Sequence, residues 1–225
     1  MPYRGYIDRV IKLFPETAEV YEIVKAEMSK YPGASHDLSH VERVMANCWK
    51  IYTEEKAGDL KTISLAVLLH DSKRHEEENS GEDHALSGAE FARTLLLNRG
   101  FPIETVETVY DSIICHSYSN HKVPRFIEGK ILQDADRLDT IGAIAIARLF
   151  NHNNGIKRPL YSPEIKPKKT YDGISLTYLN HIFEKILKIT PDSFWTETAQ
   201  KMARERYQFT LEFTRKFLRE WYALD

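Results

Sequence analysis

The chain carries the stretch Ile63-Ser64-Leu65-Ala66-Val67-Leu68-Leu69-His70-Asp71, in which an apolar run ends in two adjacent ionisable side chains. A run of this composition predicts a helix that is buried on all sides. Because an unpaired charge is costly to bury, His70 and Asp71 need a partner at the end of that helix. A divalent metal ion is such a partner, so this stretch predicts a hydrolytic metal site.

Residues on both sides of this stretch show helical periodicity, and strand-like alternation is scarce. The predicted helices cover about 15–29, 35–49, 59–71, 84–98, 102–116, 130–150, 174–189 and 191–221. Residues 141–147 are apolar nearly all round, which predicts a helix in the middle of the core. The sequence therefore predicts a single all-α domain over 1–225, with a core at about 16–150 and C-terminal helices at 171–222 packed on it.

The composition is that of an ordinary globular protein, with 225 residues, 42% hydrophobic and 28% charged. A net charge of −2 argues against a stable nucleic-acid partner, and a homodimer is compatible with the sequence. Cys48 and Cys115 are far apart in sequence, which favours buried, reduced thiols. No signal-peptide pattern and no apolar run of about 20 residues is found, which predicts a cytoplasmic protein without a membrane span.

The metal-capable side chains His40, His70, Asp71 and Asp136 follow one another in this order, and Asp134 competes with Asp136 for the fourth place. Two imidazoles and two carboxylates suit Mn²⁺, Fe²⁺, Co²⁺, Ni²⁺ or Zn²⁺ better than Ca²⁺ or Mg²⁺, although Mg²⁺ stays compatible. Four protein ligands on a six-coordinate ion leave two positions for water or substrate. Such an ion can activate water and polarise a phosphoryl oxygen.

These residues resemble the HD superfamily of metal-dependent phosphohydrolases. The superfamily pattern is matched by His40 in His-Val-Glu-Arg-Val, by the His70-Asp71 doublet and by Asp136 in Gln-Asp-Ala-Asp-Arg-Leu. Further motifs are similar to those of small bacterial HD nucleotide pyrophosphohydrolases: His36-Asp37-Leu38-Ser39-His40, His116-Ser117, the run from Gln133 to Asp139, and Arg158-Pro159-Leu160-Tyr161.

The resemblance implies an HD-type helical bundle that binds a metal through His40, His70, Asp71 and Asp136. It also implies hydrolysis of a nucleotide between the α and β phosphates, which converts a (d)NTP to a (d)NMP and pyrophosphate. The alternatives are a phosphomonoesterase or phosphodiesterase on the same site, and a non-catalytic metal- or nucleotide-binding module. A dinuclear iron oxygenase would need His84 and His116 as extra iron ligands.

Several further side chains are candidates for contact with the substrate. The family often has a lysine three residues after the aspartate of the doublet, where this chain has Arg74 preceded by Lys73, so that role is divided between the two. His84 and His116 are expected to contact phosphate or water, with second-metal ligation as the alternative. Arg137, Arg158 and Lys185 are further candidates for substrate binding, and His181 shares a helical face with Lys185.

Overall fold

The computed structural model describes residues 5–30, 38–74, 83–117, 122–151 and 158–224. Within these ranges the regular secondary structure is helical and no β-strand occurs, which confirms the all-α prediction. The α-helices in chain order are α1 (Gly5–Leu13), α2 (Thr17–Ser29), α3 (Leu38–Glu55), α4 (Leu60–Leu69), α5 (His84–Asn98), α6 (Ile103–His116), α7 (Ile127–Leu138), α8 (Gly142–Asn151), α9 (Tyr178–Glu184) and α10 (Glu197–Trp221). None of them combines the length and apolar composition of a membrane span.

The chain forms two compact units, Met1–Asp136 and Arg137–Asp225, and the boundary falls near the end of α7. The prediction of a single domain, with its core at 16–150, stays a prediction. The first unit holds α1 to α6 and most of α7. Helix α1 was not foreseen in the sequence, although it buries Ile7 and Val10.

Helix α4 is the central helix of the first unit, in contact with α2, α3, α5 and α6. It begins after Asp59, whose carboxylate accepts a hydrogen bond from the Thr62 amide at 2.8 Å and so caps the helix. The apolar residues from Ile63 to Leu69 are 0% exposed. The predicted fully buried helix is confirmed, and its buried end holds His70 in place.

Helices α5 and α6 form an antiparallel hairpin that packs against α4. Gly100 ends the first of them with a φ of +73°, which glycine adopts at low steric cost, and Pro102 precedes the second. Gly88 permits a close approach between α5 and the end of α4, because a Cβ there would lie only 3.3 Å from the His70 carbonyl oxygen. This contact brings the N-terminus of α5 near the His70-Asp71 doublet.

Helix α7 packs against α3, and polar side chains of α3 contact backbone carbonyl groups of α7. The Asn47 amide donates to the Ala135 carbonyl at 3.0 Å, and the Cys48 thiol lies 3.8 Å from the Ile131 carbonyl. Both cysteines are buried and unpaired by disulfide, as the sequence predicts. This packing determines which face of α7 lies toward α3, and so places Asp136 relative to the start of α3.

The predicted continuous helix over 130–150 is wrong, because α7 and α8 are separate helices. Gly142 has a φ of +84°, outside the right-handed helical region, and its amide donates to Thr210 Oγ1 at 3.0 Å. Asp139, just after α7, accepts a hydrogen bond from Arg148 of α8 at 2.7 Å. The expectation that 141–147 is buried all round is also wrong, since Ile144 is 44% exposed.

In the part of the second unit that the structure describes, the chain forms α8, α9, α10 and two short 3₁₀ helices. The predicted helix over 174–189 is shorter, because Thr177 caps α9 at its start and Lys185 leaves the helical conformation at its end. The predicted helix from 191 begins later, at Glu197, after a 3₁₀ turn at Pro191–Ser193. Both errors concern helix ends, where a side-chain cap competes with apolar periodicity.

Candidate metal centre

Four candidate ligands of the first unit converge from three helices. His40 lies in the first turn of α3, His70 and Asp71 follow α4, and Asp136 lies on α7. His40 Nε2 is 3.3 Å from His70 Nε2, 3.4 Å from Asp71 Oδ2 and 3.3 Å from Asp136 Oδ1. His70 Nε2 is 3.5 Å from Asp71 Oδ2. The residues singled out from the sequence therefore face one common point.

These separations fit the ligand shell of one metal ion. Two atoms bound at about 2.1 Å, at angles between octahedral and tetrahedral values, lie about 3.0–3.4 Å apart. The donor atoms of His40, His70 and Asp71 lie within 4.8 Å of one another and form one group that could hold an ion. His40 and His70 are fully buried and Asp71 is nearly so, which separates the group from bulk water.

The orientation of His70 is set by its own helix. His70 Nδ1 lies 2.7 Å from the Val67 carbonyl oxygen, and because a carbonyl only accepts, Nδ1 carries the proton. The Nε2 lone pair of neutral His70 then points at His40 Nε2, so a proton or a cation is needed between the two rings. Burial lowers the pKa of His70, which keeps this ring neutral and leaves the Nε2 lone pair available to a metal cation.

The carboxylate of Asp136 is held in its ionised form. Burial alone would raise its pKa, but the hydrogen bond from His40 and the charges of the neighbouring imidazoles outweigh burial and hold the pKa below the usual range of aspartate. An ionised carboxylate between imidazoles is the state that a metal ligand requires.

Asp71 also faces a second pair of histidines through its other oxygen. Asp71 Oδ1 is 3.5 Å from His116 Nε2 and 3.9 Å from His84 Nε2, and these three residues form a second group that could hold a metal. His116 Nδ1 lies 2.6 Å from the Ile113 carbonyl, so this ring is anchored to its helix in the same way as His70. Burial lowers the pKa of His116, but its hydrogen bond and charge interaction with Asp71 outweigh burial and raise that pKa.

Arg74 is the cation beside this second group. One guanidinium nitrogen of Arg74 lies 2.9 Å from both ring nitrogens of His84. Burial, followed by the charge of Arg74, lowers the pKa of His84 to about 3, so the ring is neutral near pH 7. A fixed positive charge at this position opposes a second dication and favours an anion.

Lys73 points to a different part of the first unit. Its ammonium group lies 3.5 Å from Glu27 Oε2 and 4.8 Å from the centre of the Phe91 ring. Of the two adjacent cations, Arg74 is therefore the one that lies beside the candidate metal centre. The sequence does not distinguish Lys73 from Arg74 as the candidate phosphate contact. The directions of the two side chains in the structure do.

Arg137, Arg158 and Lys185 belong to the second unit. Arg137 is buried and donates to the Ser193 carbonyl at 2.9 Å. Arg158 lies 4.5 Å from the centre of the Tyr178 ring, and the Lys185 ammonium lies 5.3 Å from that of Tyr171. His36 and Asp37 of the first motif lie outside the described residues.

A buried polar group near Lys185 was missed in the sequence. Glu184 is 2% exposed and Ser175 is 2% exposed, and the two side chains are hydrogen-bonded to each other. Nine positions separate them, and no motif joins them, so only the fold brings them together.

Comparison with known proteins finds a family match over the part of the chain that holds the candidate metal ligands. A family model of the HD domain matches residues 37–141, the range that contains the four candidate ligands and Arg74. YpgQ of Bacillus subtilis (strain 168) is 33% identical over 197 residues, which are 86% of this chain and 88% of YpgQ. The chain belongs to the HD-domain superfamily. The superfamily resemblance of the sequence is therefore confirmed.

Several solved structures are similar to this chain over nearly its whole length. A predicted HD superfamily hydrolase from an uncultured Thermotogales bacterium is 40% identical, with 90% of this chain and 91% of that chain covered and a TM-score of 0.64. An HD-superfamily hydrolase from Bacillus thuringiensis is 30% identical, with 99% and 100% covered and a TM-score of 0.70. YpgQ in complex with ADP is 28% identical in the structural comparison, with 92% and 95% covered and a TM-score of 0.68.

Proposed function

We propose that the protein is a metal-dependent phosphohydrolase that converts a (d)NTP to a (d)NMP and pyrophosphate. The observation that carries the proposal is the convergence of His40, His70, Asp71 and Asp136 on one point, with a fixed cation, Arg74, at the adjoining histidine pair. The ADP bound by the related YpgQ supports a nucleotide as the substrate.

The four candidate ligands would hold a single divalent ion, Mn²⁺, Ni²⁺, Co²⁺, Fe²⁺ or Zn²⁺, with Mg²⁺ as a weaker fit to two imidazoles. When bound, such an ion lowers the pKa of water and polarises a phosphoryl oxygen. His70 is held for this role by the Val67 carbonyl, which keeps its Nε2 unprotonated. Asp71 would help to hold the ion, with Oδ2 facing His40 and Oδ1 facing His116.

Arg74, His84 and His116 would act on the phosphate chain. The guanidinium of Arg74 supplies donors to non-bridging oxygens, where charge develops in the transition state. His116, whose pKa is raised by Asp71, can hold a proton on Nε2 and donate it toward a developing negative charge. Neutral His84 retains a ring N–H that can donate to a phosphate oxygen or to water.

The remaining predicted substrate residues divide into two groups. Lys73 and Arg137 bind protein groups, so we expect their replacement to lower stability more than activity. Arg158 and Lys185 are proposed to contribute substrate affinity. Removing both charges should therefore raise KM while metal content stays unchanged. Unaltered KM and kcat in the double variant Arg158→Gln, Lys185→Gln would leave these two residues with no part in binding.

The test of the proposed reaction is a panel of nucleoside mono-, di- and triphosphates, assayed with several divalent metals and with phosphate and pyrophosphate measured separately. We expect one metal per chain and pyrophosphate as the product from triphosphates. Asp71→Ala should lose both metal and turnover while the folded state persists. Asp192→Ala, which removes an exposed carboxylate of the second unit, is the matched control and should keep both.

Each alternative has its own result in the same assay. Phosphate without pyrophosphate indicates a phosphomonoesterase, turnover of cyclic or diester substrates indicates a phosphodiesterase, and binding without turnover indicates a non-catalytic module. A two-metal site is one further candidate, because Asp71, His84 and His116 form a second group that could hold a metal, although the charge of Arg74 opposes a second dication. Two metals per chain together with oxygen consumption would indicate a dinuclear oxygenase.

A further inference from the structure

A buried glutamine of α7 contacts the end of α6. Gln133 is 0% exposed, and its Nε2 donates to the Cys115 carbonyl at 2.6 Å and to the Lys122 carbonyl at 3.1 Å. Because a carbonyl oxygen only accepts, the group that faces both of them has to be the NH₂ of the side-chain amide. Each amide proton therefore has one acceptor, and a single side chain joins the last turn of α6 to the residues before α7.

The last turn of α6 also carries His116. The final carbonyl groups of a helix have no partner within the helix, and those of Ile113 and Cys115 belong to this set. Side chains satisfy both of them, since His116 Nδ1 lies 2.6 Å from the Ile113 carbonyl and Gln133 donates to the Cys115 carbonyl. The bond from His116 spans three positions of one helical turn, so it requires that this turn stay helical.

The residues before α7 are held against α6 at a second point. Asp111, on α6 and 6% exposed, accepts hydrogen bonds from the Arg125 amide at 2.9 Å and from Arg125 Nε at 2.7 Å. These bonds act on the body of α6, more than one turn before its end. The bond to the Cys115 carbonyl acts on the residue next to His116, which gives Gln133 a separate role.

Gln133 also lies one helical turn before the candidate ligand Asp136, on the same face of α7. A different contact holds that part of α7, because Asn47 of α3 donates to the Ala135 carbonyl at 3.0 Å. Removing the donors of Gln133 should therefore release the end of α6 and leave Asp136 in place. Metal binding and the position of His116 can then be separated by experiment.

We propose that Gln133 is a positioning residue for His116. Its two hydrogen bonds hold the last turn of α6, and this turn directs His116 Nε2 toward Asp71 Oδ1, 3.5 Å away. The effect on turnover rests on the function proposed above, in which His116 acts on the phosphate chain. The position of the ring does not depend on that function. A displacement of about 1 Å at a reacting group can cost about 10²-fold in rate.

Gln133→Met removes both donors and keeps the length of the side chain. We expect kcat to fall by about 10–10²-fold, with KM changed less than about twofold and metal content near one per chain. Gln200→Met is the matched control, because it removes a bond of the same type, from Gln200 Nε2 to the Phe194 carbonyl at 3.0 Å in the second unit. The control should keep the kcat of the wild type.

Nitrogen-15 spectra of the imidazole rings in zinc-loaded protein report the position of His116 directly. The Nδ1–H signal of this ring, assigned by its loss in His116→Gln, should be sharp in the wild type because the Ile113 carbonyl accepts the proton. It should remain in Gln200→Met and be lost or averaged in Gln133→Met. A general loss of stability would affect both glutamine variants alike and would leave this signal in each folded protein.

Two further measurements apply where Gln133→Met does not fold. Gln133→Asn keeps the amide but is one methylene shorter, so it cannot bridge the two carbonyls and should show the same loss of the His116 signal. In the wild type, the side-chain amide protons of Gln133 should exchange with water far more slowly than those of Gln208, whose amide binds Glu212 on the surface. Equally fast exchange at both glutamines contradicts the proposal.

An unchanged His116 signal in Gln133→Met overturns the positioning role, as does a lost signal with kcat unchanged. Loss of the metal in the same variant would assign Gln133 to the metal centre, and this result also counts against the role proposed for it. If the wild type hydrolyses no nucleotide, the proposed reaction fails, and the ring spectra still decide whether Gln133 positions His116.

Discussion

The imidazole of His84 is kept neutral at ordinary pH by burial and by the charge of Arg74, which together lower its pKa to about 3. The unfolded chain binds a proton at this residue below about pH 6.5, whereas the folded chain does not. Stability from this residue is therefore present above pH 6.5 and falls as the pH decreases toward 3.

In metal-free protein, the free energy of unfolding should consequently decrease between pH 7 and pH 5, by up to about 1.4 kcal/mol per pH unit below 6.5 for this one group. His84→Gln should show a shallower decrease, measured by urea unfolding in the presence of a chelator. His116 has a raised pKa and acts in the opposite direction, so the comparison is between wild type and variant. Parallel pH curves for the two proteins would contradict the assignment.

Replacement of His116 separates a phosphate contact from a second metal. If His116 acts on the phosphate chain, His116→Ala should lower kcat by about 10²–10⁴-fold while metal content stays near one per chain. His84→Ala should likewise keep one metal. Two metals in the wild type, falling to one in each variant by elemental analysis, would instead assign both histidines as ligands.

At the scale of elements, the close approach of α5 to the end of α4 holds His84 near Asp71. In Gly88→Ala the new Cβ lies 3.3 Å from the carbonyl oxygen of His70, a proposed ligand, and 3.6 Å from Ile113 Cγ2, so α5 and the His70 backbone have to move apart by a few tenths of an ångström. We expect weaker metal binding, with unfolding free energy changed by less than about 1 kcal/mol because alanine is the better helix former.

The control for this change is Gly5→Ala, in α1, where a Cβ meets nothing within 4 Å. Metal titration and thermal unfolding of both variants form the measurement. If Gly88→Ala binds metal as tightly as the wild type, the approach of α5 has no part in forming the site.

Element by element, the sequence predicts well where one physical effect dominates. Helix α4 is apolar throughout and ends in two ionisable groups, so its burial and its metal-capable end could both be predicted. The break between α7 and α8 could not, because the apolar run after Ile141 favours a helix while Gly142 adopts a φ of +84°. The contact of His116 with Asp71 depends on how α4 packs on α6, which no local pattern encodes.

At the scale of the whole molecule, all four candidate ligands lie in the first unit. Metal that binds only the folded state should therefore stabilise residues 1–136, by about 2.7 kcal/mol at a hundredfold excess over the dissociation constant. Trp49 lies in this unit, whereas Trp195 and Trp221 lie in the second.

In the double variant Trp195→Phe, Trp221→Phe, the remaining Trp49 fluorescence reports the first unit. The melting midpoint of the first unit, followed by this fluorescence, should rise by about 5–10 °C with saturating Mn²⁺. The same variant carrying Asp71→Ala should show no rise. A midpoint that Mn²⁺ leaves unchanged in the protein with Asp71 intact would argue against an ion held by these ligands.

The bonds from His70 to the Val67 carbonyl and from His116 to the Ile113 carbonyl each stay within four consecutive residues of one chain segment. Each imidazole is thereby aimed by its own helical turn before any ion arrives. We expect ions to exchange at this centre without refolding of the chain. The identity of the bound ion would then depend on the supply of metals in the cell and on their intrinsic affinities for nitrogen and oxygen donors. Growth conditions that change this supply would therefore change which metal supports the activity.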